Sequence, residues 1–147
     1  MAYRPLRYIA RLVMPPIGLF LTLWKPQVLN RSVLILRYKQ PFVDWINATE
    51  PNPQQKLKLS DANSDSTSYL IEVEEEEEMD GWFKLNGAAL FEAELSGWFP
   101  DAQLWPKDRS RALFDKWCSY ELHTLVFDTG TTPLAERDGD GDSDSDE

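Results

Sequence analysis

Between residues 32 and 46 the chain changes its hydrophobic period across a single proline, and this constrains the fold more than any other stretch. Ser32-Val33-Leu34-Ile35-Leu36-Arg37 is a continuous apolar run rich in β-branched residues, the pattern of a strand covered, or nearly covered, on both faces. After a tight link, Pro41 supplies the fixed φ of a helix N1 position. Phe42, Trp45 and Ile46 then fall at i, i+3 and i+4 on one stripe, flanked by Val43 and Asp44, as a one-sided helix requires. Asn47-Ala48-Thr49-Glu50-Pro51-Asn52-Pro53 ends it.

The rest of the chain extends this first unit. Residues 49–68 are polar and rich in turn residues, with Leu57 and Leu59 as the only large apolar anchors. Tyr69-Leu70-Ile71-Glu72-Val73 reads as a second strand. The acidic run Glu74 to Glu78 leads into a helix carrying Trp82, Phe83, Leu85, Leu90, Phe91 and Leu95, and its carboxylates suit the positive end of the helix dipole. Gly97-Trp98-Phe99-Pro100 closes that helix. Trp105-Pro106 is expected to open the next, with Pro106 at N1 and Asp108 at N3. Leu113, Phe114, Trp117 and Cys118 form its apolar stripe, and Leu122 to Phe127 reads as a third strand closed by Asp128-Thr129-Gly130. The order is β-α-β-α-α-β. Between Ser32 and Leu134, 35 of 103 residues are large and apolar, and at roughly 1.5–3 kcal/mol per buried side chain these suffice for one core. The expected fold is α/β (or α+β): a small three-stranded sheet with helices mainly on one face, in a single domain over residues 30–134.

The stretch from Asn30-Arg31-Ser32-Val33 to Lys39-Gln40-Pro41-Phe42-Val43-Asp44-Trp45, with Leu104-Trp105-Pro106-x-Asp108-Arg109-Ser110 and Phe114-x-x-Trp117, resembles a family of short uncharacterised bacterial proteins. The resemblance covers most of residues 30–128. Members of that family begin at the equivalent of Leu29, and no activity is attached to them. The resemblance therefore implies a cytoplasmic bacterial protein and supplies no catalytic residue.

Two terminal segments are expected to lie outside the domain. Leu12 to Trp24 is an almost unbroken apolar run of 13 behind Arg4, Arg7 and Arg11, which has the outline of a signal peptide. Pro15 and Pro16 break it, no small-x-small cleavage site follows, and 13 residues are too few for a bilayer core of roughly 30 Å. Residues 1–29 are therefore expected to be an extension, with Leu29 as a plausible start, and a membrane tether through residues 8–24 is the weaker alternative. At the other end, Asp138, Asp140, Asp142, Asp144 and Asp146 alternate with Gly and Ser. A Ca²⁺ loop needs Gly at position 6 and Glu at position 12. Counted from Asp138, position 6 is Ser143, so residues 135–147 are expected to be a disordered acidic tail.

Charge is unevenly spread. Residues 1–43 hold seven bases and no acid, whereas from Asp44 onward 8 bases face 25 acids, for a net charge of −10. An acidic body repels nucleic acid and attracts basic proteins. One cysteine, Cys118, and one histidine, His123, exclude a disulfide scaffold and every motif built on a His pair. Cys118 and His123 are close enough in sequence for a helix-to-strand turn to bring them together, but a third orienting residue is missing and a buried cysteine is the simpler reading. Neither a G-x-S-x-G elbow nor a phosphate-binding glycine loop is present. No metal and no cofactor is expected.

Two sets of residues remain as candidate sites. Arg37, Lys39, Asp44 and Asp128 sit at strand ends, where α/β proteins bind ligands; if the first and third strands are parallel neighbours, these four line one edge, and otherwise they read as surface salt-bridge or helix-entry residues. Glu74, Glu75, Glu76, Glu77 and Glu78, with Trp98 and Trp105 from the aromatic link between the long helices, form a candidate interaction surface, since Trp is enriched at binding hot spots; the other reading of the two tryptophans is a lid folded back over the core. The leading expectation is a non-catalytic protein-binding or regulatory module for a basic protein. The rival is a small enzyme acting on an anionic substrate at the strand-end edge.

Overall fold

The structure is a computed structural model that describes residues 26–52 and 54–137. Residues 1–25 of the extension expected at 1–29, the tether at 8–24 and the aspartates from Asp138 onward lie outside the described residues. The rest of the extension is not free of structure, since Gln27–Val28 form a strand and the Leu29 N–H donates to the Val126 carbonyl at 2.8 Å. The compact body is Val28–Phe127, and the described residues Asp128–Arg137 are grouped apart from it.

The fold is α+β. Strand β1 (Gln27–Val28) pairs only with β5 (Phe127–Asp128), as a separate two-stranded sheet that the sequence pattern does not announce. The main sheet has the order β3-β2-β4, built from β2 (Ser32–Tyr38), β3 (Ser68–Ile71) and β4 (Cys118–His123). Helices α1 (Gln40–Thr49), α3 (Met79–Trp98) and α4 (Arg111–Trp117) follow the expected β-α-β-α-α-β order, with one addition: a single turn, α2 (Leu59–Ala62), within the polar stretch.

Strand β2 is central, and both of its neighbours run antiparallel to it. Its inner residues Ser32, Leu34 and Leu36 are buried, while Val33, Ile35 and Arg37 on the other face are half-buried. The helices thus cover one face, and the outer face carries polar and exposed groups such as Ser68, Ser119, Glu121 and His123. In the core, the Phe42 ring stacks on Tyr38 at 4.2 Å and meets Trp45 and Trp117 edge-on. Phe91 and Phe114 extend the cluster beneath α3 and α4. On α1, Val43 is fully buried with Phe42 and Ile46, whereas Trp45 is only half-buried. The apolar stripe is therefore rotated by part of a turn from the one expected.

Several expected boundaries move: the second strand is Ser68–Ile71 rather than Tyr69–Val73, the third ends at His123 rather than Phe127, and the body is Val28–Phe127 rather than 30–134. Trp105-Pro106 does not open a helix: α4 begins at Arg111, and Ser110 is its N-cap, accepting the Leu113 N–H through its side chain. Asp108 accepts the Ser110 backbone N–H instead of capping α4. The third strand starts at Cys118 rather than Leu122, because α4 passes into β4 without an intervening residue. The polar stretch 49–68 is held by two side-chain amides that imitate backbone pairing. Asn47 exchanges hydrogen bonds with both backbone groups of Leu57 (2.8 and 2.9 Å). Asn63 does the same with Tyr38 (2.8 and 3.0 Å).

Candidate functional site

The acidic segment is suspended between two anchors. Val73 and Met79 are buried in the core, and all five side chains between them, Glu74 to Glu78, are exposed. Residues Glu76–Glu78 form a 3-10 turn that runs into α3. Among the described residues none of the five takes part in a salt bridge, whereas Glu72 just before them pairs with Arg31 at 2.8 Å. A turn and a half into α3, Leu85 is 87% exposed, so a large apolar side chain lies on the element that the carboxylates introduce.

The parallel pairing of the first and third strands, on which a shared strand-end edge depends, is not what the sheet has. Strands β2 and β4 are antiparallel, not parallel, with Tyr38 opposite Cys118 and Val33 opposite His123. The end of β4 therefore lies beside the start of β2, away from Arg37 and Lys39. Each of the four candidates has its own local partners. Arg37 pairs with Glu121 at 3.1 Å and donates to Ser66. The Lys39 ammonium donates to the Asp115 carbonyl. Asp44 accepts from Gln40 one helical turn earlier at 2.8 Å. Asp128, grouped outside the body, accepts the Gly130 N–H at 2.7 Å. The Arg37 side chain also holds the Glu121 carboxyl below the usual carboxylate range, with a smaller contribution from His123.

Cysteine and histidine are also separated. Cys118 and His123 occupy one strand five positions apart, hence on opposite faces and about 16 Å from each other at a rise near 3.3 Å per residue. Cys118 is 2% exposed, and burial, reinforced by the Glu94 charge and opposed by Lys39, pushes its thiol up to about 12. A neutral, enclosed thiol is a packing group and not a nucleophile.

The aromatic link folds back onto the body. The Trp105 indole N–H donates to the Phe99 carbonyl at 2.7 Å, and the Trp45 indole N–H donates to the Leu104 carbonyl at 3.1 Å. Trp98 donates to the Tyr38 hydroxyl at 3.1 Å. Both Trp98 and Trp105 are half-buried and pack against the core, the arrangement expected of a lid that folds back over it.

Behind Trp98 lies a polar network absent from the expectations above. Glu94 is 4% exposed, and one carboxylate oxygen accepts from Tyr38 while the other accepts from Tyr69. Burial, followed by the hydrogen bond to Glu94 and its charge, raises both phenols well above their ordinary value. The sequence carries one sign of this network: Glu94 interrupts the buried face formed by Leu90, Phe91 and Leu95. A carboxylate there needs partners, but nothing in the linear pattern names Tyr38 and Tyr69 as those partners.

No protein family, curated protein or solved structure matches this chain. Among the described residues, no group of three His, Cys, Asp or Glu side chains is placed to hold a metal ion. No helix among them is long and apolar enough to cross a membrane.

Proposed function

We propose that the protein is a non-catalytic protein-binding module of the bacterial cytoplasm that takes a basic partner through its acidic segment. The reading rests on one observation: five consecutive glutamates, anchored at Val73 and Met79, are exposed and lack a cationic partner among the described residues. Like charges held this close repel one another, and a cationic surface relieves the repulsion while gaining long-range steering. Further along α3, Leu85 is exposed and offers apolar surface on the helix that the glutamates lead into. Trp98 and Trp105 are left out of this surface because their indole N–H groups are engaged within the body.

The test is capture of a partner on the full chain at two ionic strengths. Near 0.5 M salt the Debye length falls to a few Å, and a partner held by charge is released. The Glu76→Gln, Glu77→Gln, Glu78→Gln triple variant, with an unchanged circular dichroism spectrum, is expected to lose that partner at low salt as well. Equal capture by the triple variant overturns the proposal.

A further inference from the structure

In the main sheet β4 is an edge strand, with β2 on one side and, among the described residues, no strand on the other. We infer that this edge pairs with the same edge of a second copy of the chain, antiparallel and two-fold symmetric about Leu122.

The ladder decides which backbone groups are free. The Lys39 N–H donates to the Trp117 carbonyl at 2.7 Å, one step beyond the pairing of Tyr38 with Cys118. Bonded pairs alternate along an antiparallel ladder, so Ser119, Glu121 and His123 turn their backbone groups toward Arg37, Ile35 and Val33. On the far side of β2 the Leu36 N–H donates to the Thr67 carbonyl at 3.2 Å, which fixes the same phase. Tyr120 and Leu122 consequently present N–H and C=O away from β2, while the Cys118 N–H is taken by the Phe114 carbonyl. A row of unpaired backbone groups is a template for another strand. From Cys118 to His123 the edge contains no Pro or Lys to blunt it, and the opposite edge, β3, is shorter.

The side chains choose the occupant and the register. Tyr120 and Leu122 are half-buried against the core, with apolar surface left to cover, and Ser119, Glu121 and His123 on the outer face are exposed. With the two-fold at Leu122, Leu122 meets Leu122, Tyr120 meets Thr124, and Glu121 stands opposite His123 twice. An imidazole N–H donates to a carboxylate whether or not the ring is charged. Moving the two-fold to Glu121 opposes two like charges, which is unfavourable. Moving it to Tyr120 brings Cys118, whose N–H is already committed, into a bonded position. The edge is therefore complementary to itself in one register, as an isologous contact requires. An unrelated strand would have to reproduce that alternation of carboxylate and imidazole, whereas a second copy brings it. The contact is separate from the acidic segment, because none of Glu74 to Glu78 lies on β4. Salt also acts on the two in opposite directions: two copies of net charge −10 repel, so screening strengthens the dimer and releases a basic partner.

The full-length protein is followed by sedimentation and by amide hydrogen exchange from about 10 μM to about 1 mM, the span of weak contacts. A monomer–dimer equilibrium is expected. In the dilute sample the Tyr120 and Leu122 amides should exchange rapidly while those of Ser119 and Glu121 are protected, and in the concentrated sample all four should be protected. His123→Glu, a change at an exposed side chain, faces carboxylate with carboxylate twice per dimer and should weaken association about tenfold. The exchanged variant Glu121→His/His123→Glu should restore it. A chain that stays monomeric at the highest concentration overturns the inference. So does a dimer that leaves the Tyr120 and Leu122 amides unprotected, or one indifferent to His123→Glu. Full protection of those two amides in the dilute sample also overturns it, because the edge would then be occupied within the chain.

Discussion

At the scale of single residues, Glu94 is the most demanding group in the molecule. A carboxylate taken out of water costs several kcal/mol unless its oxygens are bonded, and here two tyrosine hydroxyls supply those bonds from different strands. Tyr69→Phe removes one of them and should destabilise the fold by about 1.5–3 kcal/mol, read from urea unfolding. Tyr38→Phe should cost more, because it also leaves the Trp98 indole N–H without its acceptor. The same groups set an alkaline limit. Unfolded thiols and phenols titrate near 9.0 and 10.0, and the body raises Cys118, Tyr38 and Tyr69 above those values. The folded state holds these protons more tightly, so the stabilisation is whole below pH 9 and is lost as pH climbs toward the Cys118 value of about 12. The urea midpoint is expected to fall over that window, and less steeply in Tyr69→Phe. Over the same range below pH 9, iodoacetamide should label Cys118 only after denaturant is added, and rapid native labelling would contradict its burial.

At the scale of elements, α3 carries three glycines whose surroundings differ. A Cβ at Gly81 meets no atom within 4 Å, whereas at Gly87 it approaches the Phe83 ring to 3.1 Å. Gly81→Ala should therefore recover most of the helix preference of about 1 kcal/mol and raise the melting temperature. Gly87→Ala should gain less, or nothing, because Phe83 must give way. Such neighbours also show why some elements were legible in the sequence and others were not. The β2–α1 unit was readable because its two periods meet at Pro41, and α3 because its apolar residues recur over many turns. The start of α4 was misread because Pro106 satisfies the local rules for a first helical residue. Ser110, with its hydroxyl on the Leu113 N–H, satisfies them better, and a single sequence does not rank the two. The loop clamps at Asn47 and Asn63 act over 10 and 25 residues, beyond the reach of any local pattern. The direction of the third strand is not legible for a topological reason: it is decided by pairing, and antiparallel pairing places the end of β4 next to the start of β2.

At the scale of the whole molecule, the excess of acid over base is the dominant long-range force. With a net charge of −10 the folded chain repels itself, and added salt screens that repulsion. The urea midpoint is expected to rise as sodium chloride is increased from low concentration to physiological levels. The Glu76→Gln, Glu77→Gln, Glu78→Gln variant should begin higher and rise less, and a midpoint independent of salt would show that the carboxylates are already neutralised.

Trp117 ends one helix and Cys118 begins the next strand with nothing between them, and the Trp117 carbonyl is also the acceptor for the Lys39 amide at 2.7 Å. Such a joint has no slack. The helix cannot tilt without dragging the ladder it is fused to, so the two must come undone together. Deuterium uptake should accordingly follow a single opening rate across residues 114–122, with the helical and ladder amides losing protection in the same step.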